Sequence, residues 1–177
     1  MTTRIPPGSG GPDPAFADPS RESRWRPLRL LQSRMDDDIA RIYREAGIDE
    51  LRPTWVRELL RLRARGPMSI TALAASVGTT HSAASQKVAA MRAAGLVQTK
   101  TGGDARTRTV RLTKRAASIA EKLAAEWRAT EAALADLEAE IPYPLSRAVT
   151  DIEEALERKS FHDRIAERLA ADKAWRA

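Results

Sequence analysis

From Leu28 to Ala46 the apolar residues return every three or four positions. Leu28, Leu31, Met35, Ile39, Ile42 and Ala46 line one stripe, which predicts a helix from about Arg24 to Ala46, with Pro27 in its opening turn and Gly47 as its stop. A second helix is predicted from Pro53 to about Arg65, burying Val56, Leu59, Leu60 and Leu62, and Gly66-Pro67 breaks the chain after it. A short helix follows over Ile70–Val77, with Ser69 as N-cap and Ile70, Leu73 and Val77 facing inward. Gly78 closes it. The next helix runs from about His81 to Ala94, between Thr80 as N-cap and Gly95 as stop. The period then shortens. "LVQTK" and "RTRTVRL" flank "TGGDA", the pattern of an exposed hairpin too small to stand without the helices. Two long helical stretches finish the chain. Lys114–Ile141 carries Ile119, Leu123, Leu134, Leu137 and Ile141. "PYP" ends it, and Leu145–Ala171 carries Leu145, Val149, Ile152, Leu156, Ile165 and Leu169.

The opening "MTTRIPPGSGGPDPAFADPSRE" has few apolar groups to offset its ordering entropy, so residues 1–22 read as a disordered tail. The remaining divisions are an N-terminal dimerisation helix over 23–52, a DNA-binding domain over 53–113 and C-terminal dimerisation helices over 114–177. The dimer is inferred from length: these helices carry longer apolar stripes than a domain of this size covers alone. A helical hairpin within one chain is the competing reading.

Charge sharpens the picture. The net +6 is unevenly spread: Pro53–Arg115 holds 12 Lys/Arg against 2 Asp/Glu, residues 1–52 are neutral, and residues 116–177 carry a net −4. A basic middle between neutral and acidic arms suits a polyanion, although a solvated arginine-rich surface has the same composition. With no cysteine and only His81 and His162, the chain has no disulfide, thiolate zinc site or histidine-rich metal site. No metal or cofactor is expected. No nucleophile–base set or phosphate loop is visible, which argues against an enzyme. The stretch with the fewest charges, about Ile70–Ala84, is too short and too polar for a membrane span, and the N-terminus lacks an apolar signal core. A cytoplasmic, soluble protein is the expectation.

The His81–Ala94 helix carries the candidate chemistry. On a helical wheel Ala84, Val88 and Met91 fall on one side; Ser82, Gln86, Ala89 and Ala93 fall opposite; His81, Ala83, Ser85 and Lys87 flank them. The outer face is small or amide-bearing, and the only acid between Thr79 and Ala105 is Asp104. Such a helix fits the DNA major groove. Glutamine pairs with adenine, serine with base edges or phosphates, and alanine with a thymine methyl. With the short helix and turn before it, it forms a helix-turn-helix, and the hairpin becomes a wing. Asp104 braces the tip, Arg106 reaches a narrow minor groove, and Lys100, Arg108 and Arg111 lie near phosphates. Ser69, Thr80, His81, Ser82, Ala83, Ser85, Gln86, Lys87, Lys100, Arg106 and Arg108 are therefore the candidate DNA contacts. An Ala/Ser-rich helix is also often just a tightly packed core element. The readings carried forward are a regulator, an architectural DNA protein without an operator, and a helical interaction module.

From about Leu28 to Leu156 the chain resembles the MarR family of winged helix-turn-helix transcription regulators. The resemblance rests on "GPMSITALAASVG", "TTHSAASQKVAAMRAAGLV", a hairpin with "DAR", and "VRLT" entering a long helix. It implies a mainly α fold with a small β-hairpin wing and long N- and C-terminal dimerisation helices. It also implies a homodimer on a pseudo-palindromic operator in double-stranded DNA, and repression often relieved by a small aromatic or phenolic effector. The chain departs from the pattern in three places. Ala105 stands where the wing often has its first arginine, the segment after "LT" lacks the usual glycine, and Lys87 stands at a commonly apolar position, where it is expected to reach a phosphate. An effector pocket would draw on Trp25, Met35, Tyr43 and Trp55, with Arg57 or Arg61 meeting a carboxylate. Ordinary core and interface packing is the alternative for those residues.

Overall fold

The computed structural model describes residues 18–48, 50–101 and 108–176. The chain divides into two compact units between Trp55 and Val56. In the first, α1 spans Arg26–Glu45 with proline in its opening turn, as its stripe predicts. Of its residues only Tyr43 is buried, while Leu30, Leu31 and Ile42 stay exposed. Ile48, Leu51 and Trp55 are buried beyond it, and the Arg52 guanidinium stands 5.3 Å over the Trp55 ring. Pro53–Trp55 is a 3-10 turn rather than the first turn of the second helix.

The second unit runs α2 (Val56–Arg65), β1 (Met68–Ser69), α3 (Ile70–Ser76), α4 (His81–Ala93), β2 (Val97–Thr101), β3 (Arg108–Leu112), α5 (Lys114–Ala139), α6 (Leu145–Arg158) and α7 (Phe161–Ala171). The expected hairpin is present, and it gains a strand. β1 pairs antiparallel with β3, Met68 opposite Val110, so the sheet order is β1-β3-β2. Val97 faces Leu112 and Thr101 faces Arg108 across β2 and β3. Leu59, Leu73, Met91, Leu96, Val110 and Leu123 are fully buried and bring α2, α3, α4, the sheet and α5 onto one core.

Glycines set the exits of α3 and α4. At Gly95, φ is +68°, a left-handed conformation that costs residues with a Cβ about 1 kcal/mol or more. The turn lets Leu96 N–H reach the Met91 carbonyl at 2.9 Å and Gly95 N–H reach Arg92 at 3.0 Å, closing α4 and launching β2. Gly78, at φ +65°, ends α3 likewise and turns the chain into α4. Thr113 is the next junction. Its hydroxyl accepts from Ala116 N–H at 3.2 Å, capping α5, and donates to the Gly95 carbonyl at 2.8 Å. One side chain thus ties the exit of α4 to the start of α5.

The C-terminal arm departs from expectation. Leu145–Ala171 is two helices, broken at Lys159-Ser160. Lys159 is extended, Ser160 caps α7 by accepting from Asp163 N–H at 3.1 Å, and Arg164 Nη2 donates to the Ala155 carbonyl at 2.7 Å, satisfying the end of α6. Apolar periodicity passes over such a break because Ile165 and Leu169 keep a helical spacing on the far side. At the α5–α6 corner, Glu138 accepts from the backbone N–H of Ser146 at 2.7 Å and from its hydroxyl at 2.6 Å. α6 buries none of its residues, and Leu145, Val149, Ile152 and Leu156 form an exposed stripe along it. Among the described residues no helix is long and apolar enough to cross a membrane.

Thr113→Ala is expected to lower the unfolding free energy by about 1–2 kcal/mol in urea titrations, and Thr113→Ser to restore most of it. The Ser146 hydroxyl and backbone hold the Glu138 carboxyl below its ordinary range. Its stabilising share is present above the ordinary glutamate value and is lost as pH falls through the lowered one. Carboxyl NMR should place its midpoint below that of an unpaired glutamate, and Ser146→Ala should return it upward.

Candidate nucleic-acid interface

The candidate interface draws on α3, the turn after it, α4 and the sheet. Ser69 caps α3, its oxygen accepting from Ala72 N–H at 3.1 Å. Thr80 caps α4 by accepting from Ala83 N–H at 3.2 Å. Both act as caps, which takes one lone pair of each hydroxyl and leaves its proton and a second lone pair for another partner.

α4 lies as the wheel predicts. Ala84, Val88 and Met91 are buried at 0, 3 and 0% exposure, against exposed Ser82, Gln86, Ala89 and Ala93. His81 is exposed, and Ala83 and Ser85 are half-buried along the flank. No carboxylate occurs in the sequence between Glu58 and Asp104, so no acid of this stretch opposes a polyanion. In the sheet, Lys100 and Arg111 are exposed. Arg108 opens β3 opposite Thr101. Arg106 and Asp104, the expected wing tip, lie outside the described residues.

Lys87 departs from the sequence reading. Its ammonium does not stand free for a phosphate: Nζ lies 2.8 Å from Oε1 of Glu58 on α2. The Lys87 side chain keeps 28% of its exposure and that of Glu58 only 1%. The sequence reading assigned Glu58 no role. Two signals were available: it is the one acid between Pro53 and Gly103, and it sits in a helix among residues expected to be buried. A lone acid surrounded by arginines reads as surface charge unless the core position opposite it is known.

The residues proposed for an effector are distributed between the units. In the first, Trp25 is exposed, Met35 half-buried, and Tyr43 and Trp55 buried. In the second, Arg57 joins Arg61, Leu60, Ala64 and Trp127 around an open hollow of about 310 Å³ on α2 and α5. Trp127 was not anticipated. His162 lies 3.1 Å from Asp163 on α7. Among the described residues no cluster of three or more His, Asp or Glu could hold a metal ion.

No protein-family model matches the sequence, and no curated protein matches it. Solved structures do match by shape. The M. tuberculosis transcriptional regulator MosR in complex with DNA has a TM-score of 0.54 and 22% identity, covering 77% of this chain and 98% of its own. An S. aureus MepR–DNA complex has a TM-score of 0.56 at 12% identity, covering 77% and 98%. A further M. tuberculosis MosR structure has a TM-score of 0.51 at 20% identity, covering 77% and 97%. These likenesses establish a mainly helical, MarR-like winged-helix fold with its small antiparallel sheet.

Lys87→Ala would leave the buried Glu58 carboxylate without its cation. The expected cost is about 3 kcal/mol in chemical denaturation, the low end for a broken buried pair because water still reaches Lys87.

Proposed function

We propose, with the MarR-like winged-helix fold as the premise, that this chain is a dimeric, sequence-specific DNA-binding transcription regulator that represses by default. One observation carries the reading: α4 hides its only large apolar side chains and turns outward a face of serine, glutamine and alanine free of acid. A major groove about 12 Å wide takes a helix of that girth, and Gln86 brings the amide that pairs with adenine. Exposed Lys100 and Arg111 supply cations beside it. That one of the MosR structures and the MepR structure are DNA complexes supports the same reading.

The uncovered Leu145–Leu156 stripe of α6 supports the homodimer, since a second copy offers an identical stripe. A dimer sets two copies of α4 on half-sites of a pseudo-palindrome. For relief of repression, the hollow beside Arg57, Arg61 and Trp127 offers guanidinium and aromatic surface to a small aromatic carboxylate. No catalytic role is part of this reading, and its place of work is the cytoplasm.

Selection from a random duplex pool tests the reading. The retained sequences are expected to be inverted repeats with half-sites about one helical turn apart. Gln86→Ala should cost about 1–3 kcal/mol of discrimination at particular base pairs. Arg106→Ala should weaken binding to all sequences alike and lower the salt slope by about one. Equal retention of unrelated duplexes would mean an architectural protein instead. Sedimentation should give a dimer that Ile152→Asp dissociates; a monomeric parent refutes the twofold arrangement.

A further inference from the structure

Glu58 is completely buried, and one of its oxygens, Oε2, has no hydrogen-bond partner among the described residues. The other accepts from Lys87 Nζ at 2.8 Å, from a helix 29 positions along the chain. Such a pair is a poor source of stability. Desolvating both charges costs about as much as their attraction returns, and apolar residues of similar volume often do as well or better. What an ionic hydrogen bond supplies that a methyl group lacks is direction: it is satisfied at one distance and one bearing.

α4 is short of direction. Alanine occupies positions 83, 84, 89, 90 and 93, so much of the helix surface is small. Its only large buried side chains, Val88 and Met91, sit less than a turn apart in its C-terminal half. In the N-terminal half, Ala84 alone is buried, and a helix that hides one methyl group there loses little by turning another alanine inward. The caps at Thr80 and Gly95 set where α4 starts and stops, not which way its middle faces.

We propose that Glu58 is a positioning residue: by holding Lys87 it fixes the roll of α4 about its own axis, and so determines which side chains that helix presents to a duplex. Lys87 adjoins Gln86 and lies two positions from Ser85, so a bearing fixed at one is passed to the others through a single turn of backbone. The consequence for DNA rests on the regulator reading above; the roll itself does not.

Because the chain contains no cysteine, single introduced thiols report the roll directly. Gln86→Cys marks the outward face and Ala84→Cys the buried one. Each is made in the parent, in Glu58→Leu/Lys87→Met, and in Glu58→Leu alone, which removes the acceptor, lets the part-exposed Lys87 turn its ammonium to water and guards against a double variant that does not fold. In the parent the Gln86→Cys thiol should react with a maleimide far faster than the Ala84→Cys thiol. In either altered background that rate ratio should fall by about tenfold or more while cooperative melting persists. A merely structural role would lower the melting midpoint and leave the ratio where it was. A folded Glu58→Leu or double variant with the parental ratio overturns the proposal. On a duplex selected by the parent, the folded double variant should lose about tenfold or more of its preference over random DNA. Unchanged preference also overturns the proposal. Should the parent itself select no sequence, the regulator reading falls, and the thiol rates still decide the roll.

Discussion

Helix α4 hides Ala84, Val88 and Met91 and leaves Ser82, Gln86, Ala89 and Ala93 in water, and the rest of the second unit is arranged around that choice. The chain reaches α4 through the Gly78 turn, which needs no Cβ, and leaves through Gly95 directly into β2. Leu96 and Val97 then enter the core that Met91 closes. A helix of such small side chains buries little area, so its hold on the domain comes from neighbours on both sides rather than from its own face. That economy has a functional side: what makes the helix weakly amphipathic also makes it slender and free of acid outside.

Much of this was readable in the residues because local signals agreed. Ser69 and Thr80 are N-caps ahead of alanine-rich runs, and Gly78 and Gly95 stand at the positions that end helices. Consistency of that kind is what fixes boundaries to within a residue or two. The outward face of α4 was legible for the same reason, since only three positions offered a sensible core side.

The unreadable parts share a cause, which is dependence on partners far away in sequence. β1 has two residues, too few to alternate, and exists because β3 offers Val110 and Thr109 an edge to pair along. The α6–α7 break hangs on Arg164 reaching back to Ala155 and on a serine that doubles as an ordinary helix residue elsewhere. Glu58 and Lys87 are separated by α3 and two turns, and nothing in either neighbourhood announces the other. Lys87 reads as a phosphate ligand as long as the direction of its side chain is unknown.

Thr113 has a mechanical corollary. The helix it caps has 26 residues, about 39 Å of rigid rod anchored at one end beside the exit of α4. A tilt of about 5° at that anchor carries the far tip through about 3 Å, by simple leverage along the rod. Read in reverse, a displacement of several ångströms at the tip arrives at the root as a rotation small enough for intact hydrogen bonds to follow. Long excursions at one end are geared down to fine adjustment at the other.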